Sequence, residues 1–530
     1  MDIGNVAKSS FKGGFFLFVG MTSSTIIMAL TSIIVARLLG PADYGLYTIV
    51  LVVPSFFINL SDLGISPALT RFSAHFRAKG ENGKVIALIK TGILFKLLFS
   101  ILISTLLFFL SDSLAVYVIN RPNAGFLIRL TAFYLIGESM LESVSSTFIG
   151  LDDAKKSSLL MNIQAVIKAI TAPILILIGF GIAGAIIGTS AGFVVAAALG
   201  VIILLFHICP KLQIDGKSNE NLKFSQGLKM MTFYGVPLYL SALIGKLQSQ
   251  ISRILLAFFT SDINIGNYAT AISFSILISL FAVPIATSLF PAFSKLTVER
   301  EQDSIEKMFK YSVKYTSLII IPLSIGIAIL SKDIVSTLYG SRFESAPFYL
   351  SLYMSSFLLT GIGMFVINAL FNSQGDTKIS FRLNLVNFAL SIPLSLLTIP
   401  LYGVIGLIIS LLISQLISTL YGLYLVKKRY KITVEVQSSG KIIISSLLAA
   451  ILVYLSSKTV NFSNPIYGLT FGGALYLASF LIFAPLLKAI NKEDLENLEF
   501  LIEELPLIAP ILKWILIIEG KILGRMNFNF

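Results

Sequence analysis

The chain has 530 residues, 56% of them hydrophobic and 13% charged, with a formal net charge of +13. A soluble domain is far less apolar, so the composition points to one polytopic membrane protein. The one cysteine, Cys209, excludes an internal disulfide, and two histidines, His75 and His207, exclude a His-rich metal site. The basic excess lies in links between apolar runs, where membrane topology rather than nucleic acid explains it.

Apolar runs long enough to cross a hydrocarbon core of about 30 Å recur along the whole chain. They predict fourteen spans, near 13–38, 45–68, 86–110, 125–150, 157–180, 183–207, 230–257, 265–292, 311–331, 347–371, 383–400, 402–426, 441–457 and 465–487. Links such as Gly40-Pro41 and Gly179-Phe180-Gly181 supply tight reversals. The first run is too long for a cleavable signal peptide and lacks a small-residue cleavage site.

Lysine and arginine set the orientation. With the N-terminus taken as cytoplasmic, the even-numbered links carry Arg71, Arg77, Lys79 and Lys84, then Lys155 and Lys156, then Lys211, Lys217 and Lys223. Further on they carry Lys295, Arg300, Lys307 and Lys310, then Lys378 and Arg382, then Lys427, Lys428, Arg429 and Lys431. Roughly 30 of the 40 basic residues fall inside and about six outside. Both termini are therefore expected in the cytoplasm of a protein of the cell membrane.

The second half repeats the first at an offset of about 222 residues. Asp43-Tyr44-Gly45 matches Asn267-Tyr268-Ala269, and Phe72-Ser73 matches Phe293-Ser294. Leu110-Ser111-Asp112 matches Leu330-Ser331-Lys332-Asp333, and Asp153-Ala154-Lys155 matches Asp376-Thr377-Lys378. Gly181-Ile182-Ala183-Gly184 matches Gly403-Val404-Ile405-Gly406. Six spans per copy, an even number, give both copies the same orientation, so they are expected to be parallel repeats, a usual build of secondary transporters. The expected units are 10–210 (spans one to six), 228–430 (seven to twelve), 441–488 (two extra spans) and a tail, 489–530. In the tail Leu495, Leu498, Leu501 and Leu505 recur at helical spacing among acidic residues, which predicts an amphipathic helix, and the stretch around Trp514 reads as interfacial.

The run from Ser32 to Tyr47, Ser-Ile-Ile-Val-Ala-Arg-Leu-Leu-Gly-Pro-Ala-Asp-Tyr-Gly-Leu-Tyr, resembles the opening signature of the polysaccharide-export branch of the multidrug/oligosaccharidyl-lipid/polysaccharide superfamily. Gly266-Asn267-Tyr268-Ala269, Phe290-Pro291-Ala292-Phe293-Ser294 and the link from Leu338 to Ala346 are similar to further pieces of that branch. The resemblance covers about residues 10–430. It implies an all-α fold with two six-helix lobes around a central cavity, alternating between inward-open and outward-open states. It also implies a flippase for lipid-linked oligosaccharide, with the extra helices helping to take the lipid tail.

An anionic polyprenyl-linked head needs cations for phosphate and hydrogen-bonding groups for sugar, and ionisable residues inside spans are the first candidates to supply them. The second span ends near Asp62 in Ser61-Asp62-Leu63-Gly64, which either contacts a cation or caps the chain. Lys96, alone among Phe95, Leu97 and Leu98, is expected to snorkel to the interface. Glu138 and Glu142 share a face of the fourth span. Two such carboxylates in low dielectric resist double ionisation, which suits ion coupling. Gln164, Lys168 and Thr171 share a face of the fifth, with Lys168 about 17 Å in. A structural Lys168–Glu138 pair is the alternative. The seventh span carries Tyr239, Lys246, Gln250 and Arg253 on one face. By the resemblance that helix lines the cavity, so these residues, with Lys168 and Gln164, are the expected substrate-binding set. Arg253 alternatively reaches to the headgroups.

No phosphate-cradling Gly-Lys-Ser loop and no large extramembrane domain is present, so no catalytic residue, metal or cofactor is expected. The expected partners are the lipid-linked oligosaccharide, membrane lipids and glycan-assembly enzymes, with the protein a monomer. Competing readings are a drug or organic-cation exporter, a membrane glycan polymerase or transferase, and a non-transporting member of a glycan-assembly complex.

Overall fold

A computed structural model describes residues 3–215, 222–296, 298–460, 462, 464–491 and 494. Among them the chain forms helices and links and no strand. In a bilayer this follows from the backbone, whose N–H and C=O groups pair within a helix and find no water to pair with otherwise.

In chain order the helices are α1 (Ile3–Ser61), α2 (Ile65–Ala78), α3 (Asn82–Tyr117), α4 (Gly125–Gly150), α5 (Ala154–Leu175), α6 (Gly181–Ile202), α7 (Cys209–Asp215), α8 (Phe224–Phe259) and α9 (Asp262–Ser273). They continue as α10 (Ser275–Ser294), α11 (Val298–Ile329), α12 (Ser331–Leu338), α13 (Ala346–Met354), α14 (Val366–Ser373), α15 (Thr377–Tyr430), α16 (Val436–Thr459) and α17 (Pro465–Leu486). Nine helical stretches among the described residues are long and apolar enough to cross a membrane, and a tenth would be the bent pair α13–α14. Three of these stretches, Leu17–Ser61, Ala154–Gln213 and Thr377–Tyr430, have 45, 60 and 54 residues. That is at least twice the roughly 20 residues of one crossing. They leave helical geometry at Gly40, at Gly179–Gly181 and at Gly403.

The internal repeat is written into the backbone. Gly181 has φ 51° and ψ −129°, and Gly403, 222 residues later, has φ 56° and ψ −128°. This conformation is essentially closed to a residue with a Cβ, so glycine is required at both. Asp152 and Gly375 pair off in the same way at φ 55° and 80°, as do Asn120 and Gly340 at φ 54° and 92°.

Two helix boundaries depart from the hydropathy reading. The second span, expected to run on to residue 68, stops at Ser61, because Leu63 and Gly64 take left-handed φ of 46° and 77° before α2 begins. The tenth, expected as one helix over 347–371, bends by 45° between α13 and α14. There Gly363 is left-handed at φ 89° and a 3₁₀ turn fills Ser355–Ile362. Apolar composition runs through the bend at Gly363, so hydropathy does not register it, and at the first break a span-length average outweighs Ser61 and Asp62. The expected tail helix and Trp514 lie outside the described residues.

Contacts group the chain into two units, Met1–Ala269 with Ser391–Leu407, and Thr270–Leu390 with Ile408–Phe530. In the first, α4, α5 and α6 pack on one another, and α5 takes α1 while α4 takes α3. Gly184, Gly188 and Gly192, four apart on α6, face α5 so closely that a Cβ on Gly188 would sit 2.5 Å from Ala172. Such small-residue seams let spans approach where no hydrophobic effect drives them together. The core of this unit is built from Val85, Ile89, Val144, Phe148, Leu160 and Leu204. In the second unit α10, α11, α14 and α15 enclose Phe293, Phe309, Val366, Phe371 and Val426, and α16 and α17 pack beside α11.

Candidate functional site

Charged side chains gather in the interior of the first unit. The break after α1 presents Asp62, whose Oδ1 accepts hydrogen bonds from Ser66 Oγ at 2.6 Å and Ser66 N at 3.4 Å, capping α2. The same oxygen lies 2.7 Å from Lys96 Nζ on α3. Lys96 is wholly buried, and its ammonium is 4.0 Å from Glu142 Oε2 on α4. The Glu142 side chain keeps 37% of its surface accessible, so the triad is open on that side. Asp62 therefore meets both alternatives left open by its sequence, cap and cation contact. Lys96 does not snorkel. Its partner is 34 positions away in sequence, and a local reading of the run around Lys96 cannot see it.

Glu138 stands one turn before Glu142 on α4, as their spacing requires. Its Oε2 is buried and accepts no hydrogen bond. Tyr134, a further turn back, is its hydrogen-bond neighbour, and Lys168 and Lys246 act on it electrostatically. Lys168 is 7% exposed, with its ammonium 6.0 Å from the centre of the Tyr47 ring. The Tyr47 hydroxyl is fixed 2.8 Å from Thr189 Oγ1. The alternative Glu138–Lys168 contact pair is not formed, since no ion pair within 4.0 Å joins them among the described residues. Gln164 is buried on the same helix as Lys168, its amide directed at Met28 Sδ, 3.8 Å away, while Thr171 spends its hydroxyl on the Ile167 and Gly188 carbonyls.

α8 brings the rest. Its first half is pressed against the break that holds Asp62: a Cβ on Gly64 would lie 2.1 Å from Gly235 C, so the two backbones touch. Met231 joins Ile65, Leu69 and Leu88 in a buried cluster, and the Tyr234 ring packs under the Arg71 guanidinium at 4.2 Å. Pro237 then removes one backbone donor from α8. Tyr239 donates to the Asn59 carbonyl and lies in the field of Asp62 and Glu142. Lys246 is exposed and lies within electrostatic reach of both Glu138 and Glu142. Gln250 is half-buried, with Oε1 unpartnered, and Arg253 is exposed. No contact among the described residues ties those two to the cluster. They continue up α8, Arg253 about 10 Å beyond Lys246 by the helical rise.

The far end of α8 is held by residues the sequence reading passed over. Arg121 Nε sits 2.7 Å from Asp262 Oδ1 and its Nη2 donates to the Thr260 carbonyl at 2.6 Å. Asn120 Nδ2 donates to the Phe258 carbonyl at 3.3 Å. A cation and an amide thus take up carbonyls at a helix C-terminus. Tyr47 and Tyr134 were missed too. Their signal was weak, because a tyrosine in a span is usually core.

The arrangement joins Asp62, Glu138, Glu142, Lys96, Lys168 and Lys246 in one region, nearly balanced in charge. Lys246 is the cation that can leave its carboxylates for an external anion, because it alone of the three lysines is exposed.

The sequence model of a family described as polysaccharide biosynthesis protein matches residues 10–297, more than half of the chain. The probable low-salt glycan biosynthesis flippase Agl15 of Haloferax volcanii is 22% identical over 249 residues, covering 46% of this chain and 52% of the relative. The lipopolysaccharide biosynthesis protein WzxC of Escherichia coli is 27% identical over 199 residues, 37% of this chain and 39% of the relative. The chain thus spans about half or less of the length of the curated relatives it matches first. Among solved structures, lipid II flippase MurJ in an inward closed conformation superposes with a TM-score of 0.70 at 18% identity, covering 89% of this chain and 98% of that one, which shows a shared fold. This multi-pass membrane chain belongs to the polysaccharide biosynthesis protein family.

Proposed function

We propose that the protein is a flippase that carries lipid-linked oligosaccharide across the cell membrane by alternating access, for surface polysaccharide or glycan assembly. The carrying observation is the group on membrane-crossing helices in which buried Lys168, half-buried Glu138 and Glu142, and exposed Lys246 gather, both lysines within electrostatic reach of Glu138 and Lys246 within reach of Glu142 as well. Charges at that depth are costly and persist where they serve a substrate or an ion. That Agl15 is a probable glycan biosynthesis flippase, WzxC a lipopolysaccharide biosynthesis protein and MurJ a lipid II flippase supports the same reading.

In this reading Lys246 and Arg253 on α8 take the (pyro)phosphate, and Gln250, Gln164 and Tyr239 serve the sugar hydroxyls. Phosphate binding at Lys246 withdraws a cation from Glu138 and Glu142, and an entering proton or metal cation restores the balance. Those two, with Asp62, are the coupling candidates. The assignment is transport, with no bond broken in the substrate. The chain crosses fourteen times, with both ends in the cytoplasm. Lobes 10–210 and 228–430 rock as a monomer, 441–488 helps with the lipid tail, and the acidic tail is available to glycan-assembly enzymes.

The test is reconstitution with a fluorescent lipid-linked oligosaccharide, followed by quenching of the outer leaflet. Flipping should move label into or out of protection at a rate set by protein content. A rate equal to that of protein-free vesicles, with inserted and folded protein, overturns the reading.

A further inference from the structure

A cavity of about 610 Å³ lies on the side of the first unit, between α3, α4 and α6. It falls within the range of small-molecule sites, about 300–1,000 Å³. Its wall is apolar: Leu97 on α3, Gly137 on α4, and Val194, Ala198 and Leu205 along α6 and the turn that follows. The groove exists because its floor residues are small. Gly137 touches α6 so closely that a Cβ would lie 2.7 Å from Val194 N, and Ala198 contributes only a methyl.

Two features identify an occupant. From Val194 to Leu205 the groove runs about 16 Å by the helical rise, close to half of a ~30 Å hydrocarbon core, which is the depth of one leaflet. Its one charged lining residue is Lys90, on the first part of α3 at the end where Leu205 lies. Lys90 is exposed, and among the described residues no carboxylate pairs with it. Every other lysine on α3 has a carboxylate partner, Lys84 with Glu81 and Lys96 with Asp62. A leaflet-deep apolar slot with a free cation at one end is complementary to one acyl chain beneath an anionic head.

The geometry points to a phospholipid site: the groove binds an anionic phospholipid of the surrounding bilayer, its chain against α6 and its phosphate on Lys90. A lipid can sit here whether or not the chain flips oligosaccharides, because the groove shares no residue with the charge cluster.

The experiment uses the full chain in nanodiscs, with phosphatidylglycerol or phosphatidylcholine carrying a photoactivatable chain. Crosslinked peptides are mapped, and lipid carried through gentle purification is weighed by native mass spectrometry. Crosslinks should fall on α3 and α6 and favour phosphatidylglycerol. Lys90→Gln, at an exposed position, should lower that preference about fivefold, the effect of one basic residue near an anionic surface. Ala198→Trp, also exposed, should fill the slot and remove the crosslinks of both lipids, while its melting temperature stays that of wild type. An unchanged preference in Lys90→Gln, or crosslinks spread evenly over the lipid-facing helices, overturns the site. Displacement of phosphatidylglycerol by equimolar polyprenyl phosphate overturns the assignment to a bilayer phospholipid.

Discussion

Lys96 carries a charge into the interior of the first unit. It is fully buried, with one carboxylate at 2.7 Å and a second at 4.0 Å. Removing one member of a buried ion pair costs far more than the pair contributes, because the other charge is left without compensation. Lys96→Ala should therefore lower stability by about 3–5 kcal/mol, and Asp62→Ala by a similar amount. The double variant Asp62→Asn with Lys96→Met should recover most of the loss, since the one carboxylate then left without Lys96 is Glu142, whose side chain is 37% accessible and so keeps part of its hydration. Thermal melting in detergent ranks the four proteins, and a double variant that melts below both singles would count against the pairing. Lys246 belongs to another category, being exposed and unnecessary to packing. Lys246→Ala should leave melting unchanged and lower flipping at least tenfold, the worth of one lost charged hydrogen bond of about 1.5–3 kcal/mol. Unchanged flipping at matched protein content would remove Lys246 from the proposed site.

At the scale of the helix, the repeat-related breaks carry the next consequence. Gly181 and Gly403 share a backbone conformation closed to other residues. Neither is crowded by backbone from elsewhere, with the nearest atom to a Cβ at Gly403 being a Thr260 methyl at 3.3 Å. Alanine at either site should thus cost about 1–3 kcal/mol through strain alone. Gly375→Asn should be almost neutral, because φ 80° is left-handed and Asp152 holds the equivalent place at φ 55°. Melting temperatures of the three variants decide this, and equal losses at all three would overturn the distinction drawn between the two backbone conformations. A second helix-level prediction concerns the segment after α17. Asp494, 2% exposed, accepts from Lys314 Nζ at 2.6 Å and from Asn491 N at 2.7 Å, and so ties that segment to α11. Asp494→Ala leaves Lys314 buried and unpaired, so it should melt well below wild type, whereas Asp494→Asn, which still accepts hydrogen bonds, should melt between the two.

Helix by helix, the physical signals were uneven. Long apolar runs and Gly-Pro links were legible, because the bilayer imposes length and composition on a span. The repeat was legible through short polar matches, and the shared φ and ψ of Gly181 and Gly403 give those matches a cause. The bend at Gly363 was not legible, because it sits inside apolar sequence, and the stop at Leu63-Gly64 was marked only by Ser61-Asp62, which a span-length average outweighs. Glu138 and Glu142 were placed together by helical spacing. The link from Asp62 to Lys96 was hidden, because it joins two helices, and each charge, read alone, had a bland local explanation.

Across the whole chain, the distribution of lysine and arginine predicts a topology that one accident of composition makes easy to test. Cys209 is the only cysteine, and it is buried. A Cys209→Ala variant is therefore a cysteine-free background that loses one small buried side chain and no bond. Single cysteines can then be placed at exposed link positions. Lys79, Lys155 and Lys378 are expected on the cytoplasmic side, and Tyr117, Phe180, Lys332 and Tyr402 on the outer side; all seven are exposed. An impermeant maleimide added to intact cells should label the second group and spare the first, and permeabilisation should make all seven reactive. The pattern discriminates between topologies. If the helix pair Ala154–Leu175 and Gly181–Ile202 crosses once rather than twice, Phe180 is shielded within the bilayer and stays unlabelled in both conditions. If it crosses twice, with the reversal at Gly179–Gly181, Phe180 labels from outside while Lys155 labels only from inside. Tyr402 makes the same distinction for the reversal at Gly403, and agreement between Phe180 and Tyr402 is what a parallel repeat demands. Opposite sidedness at those two positions would mean inverted copies and would remove the basis for placing both lobes in the same orientation.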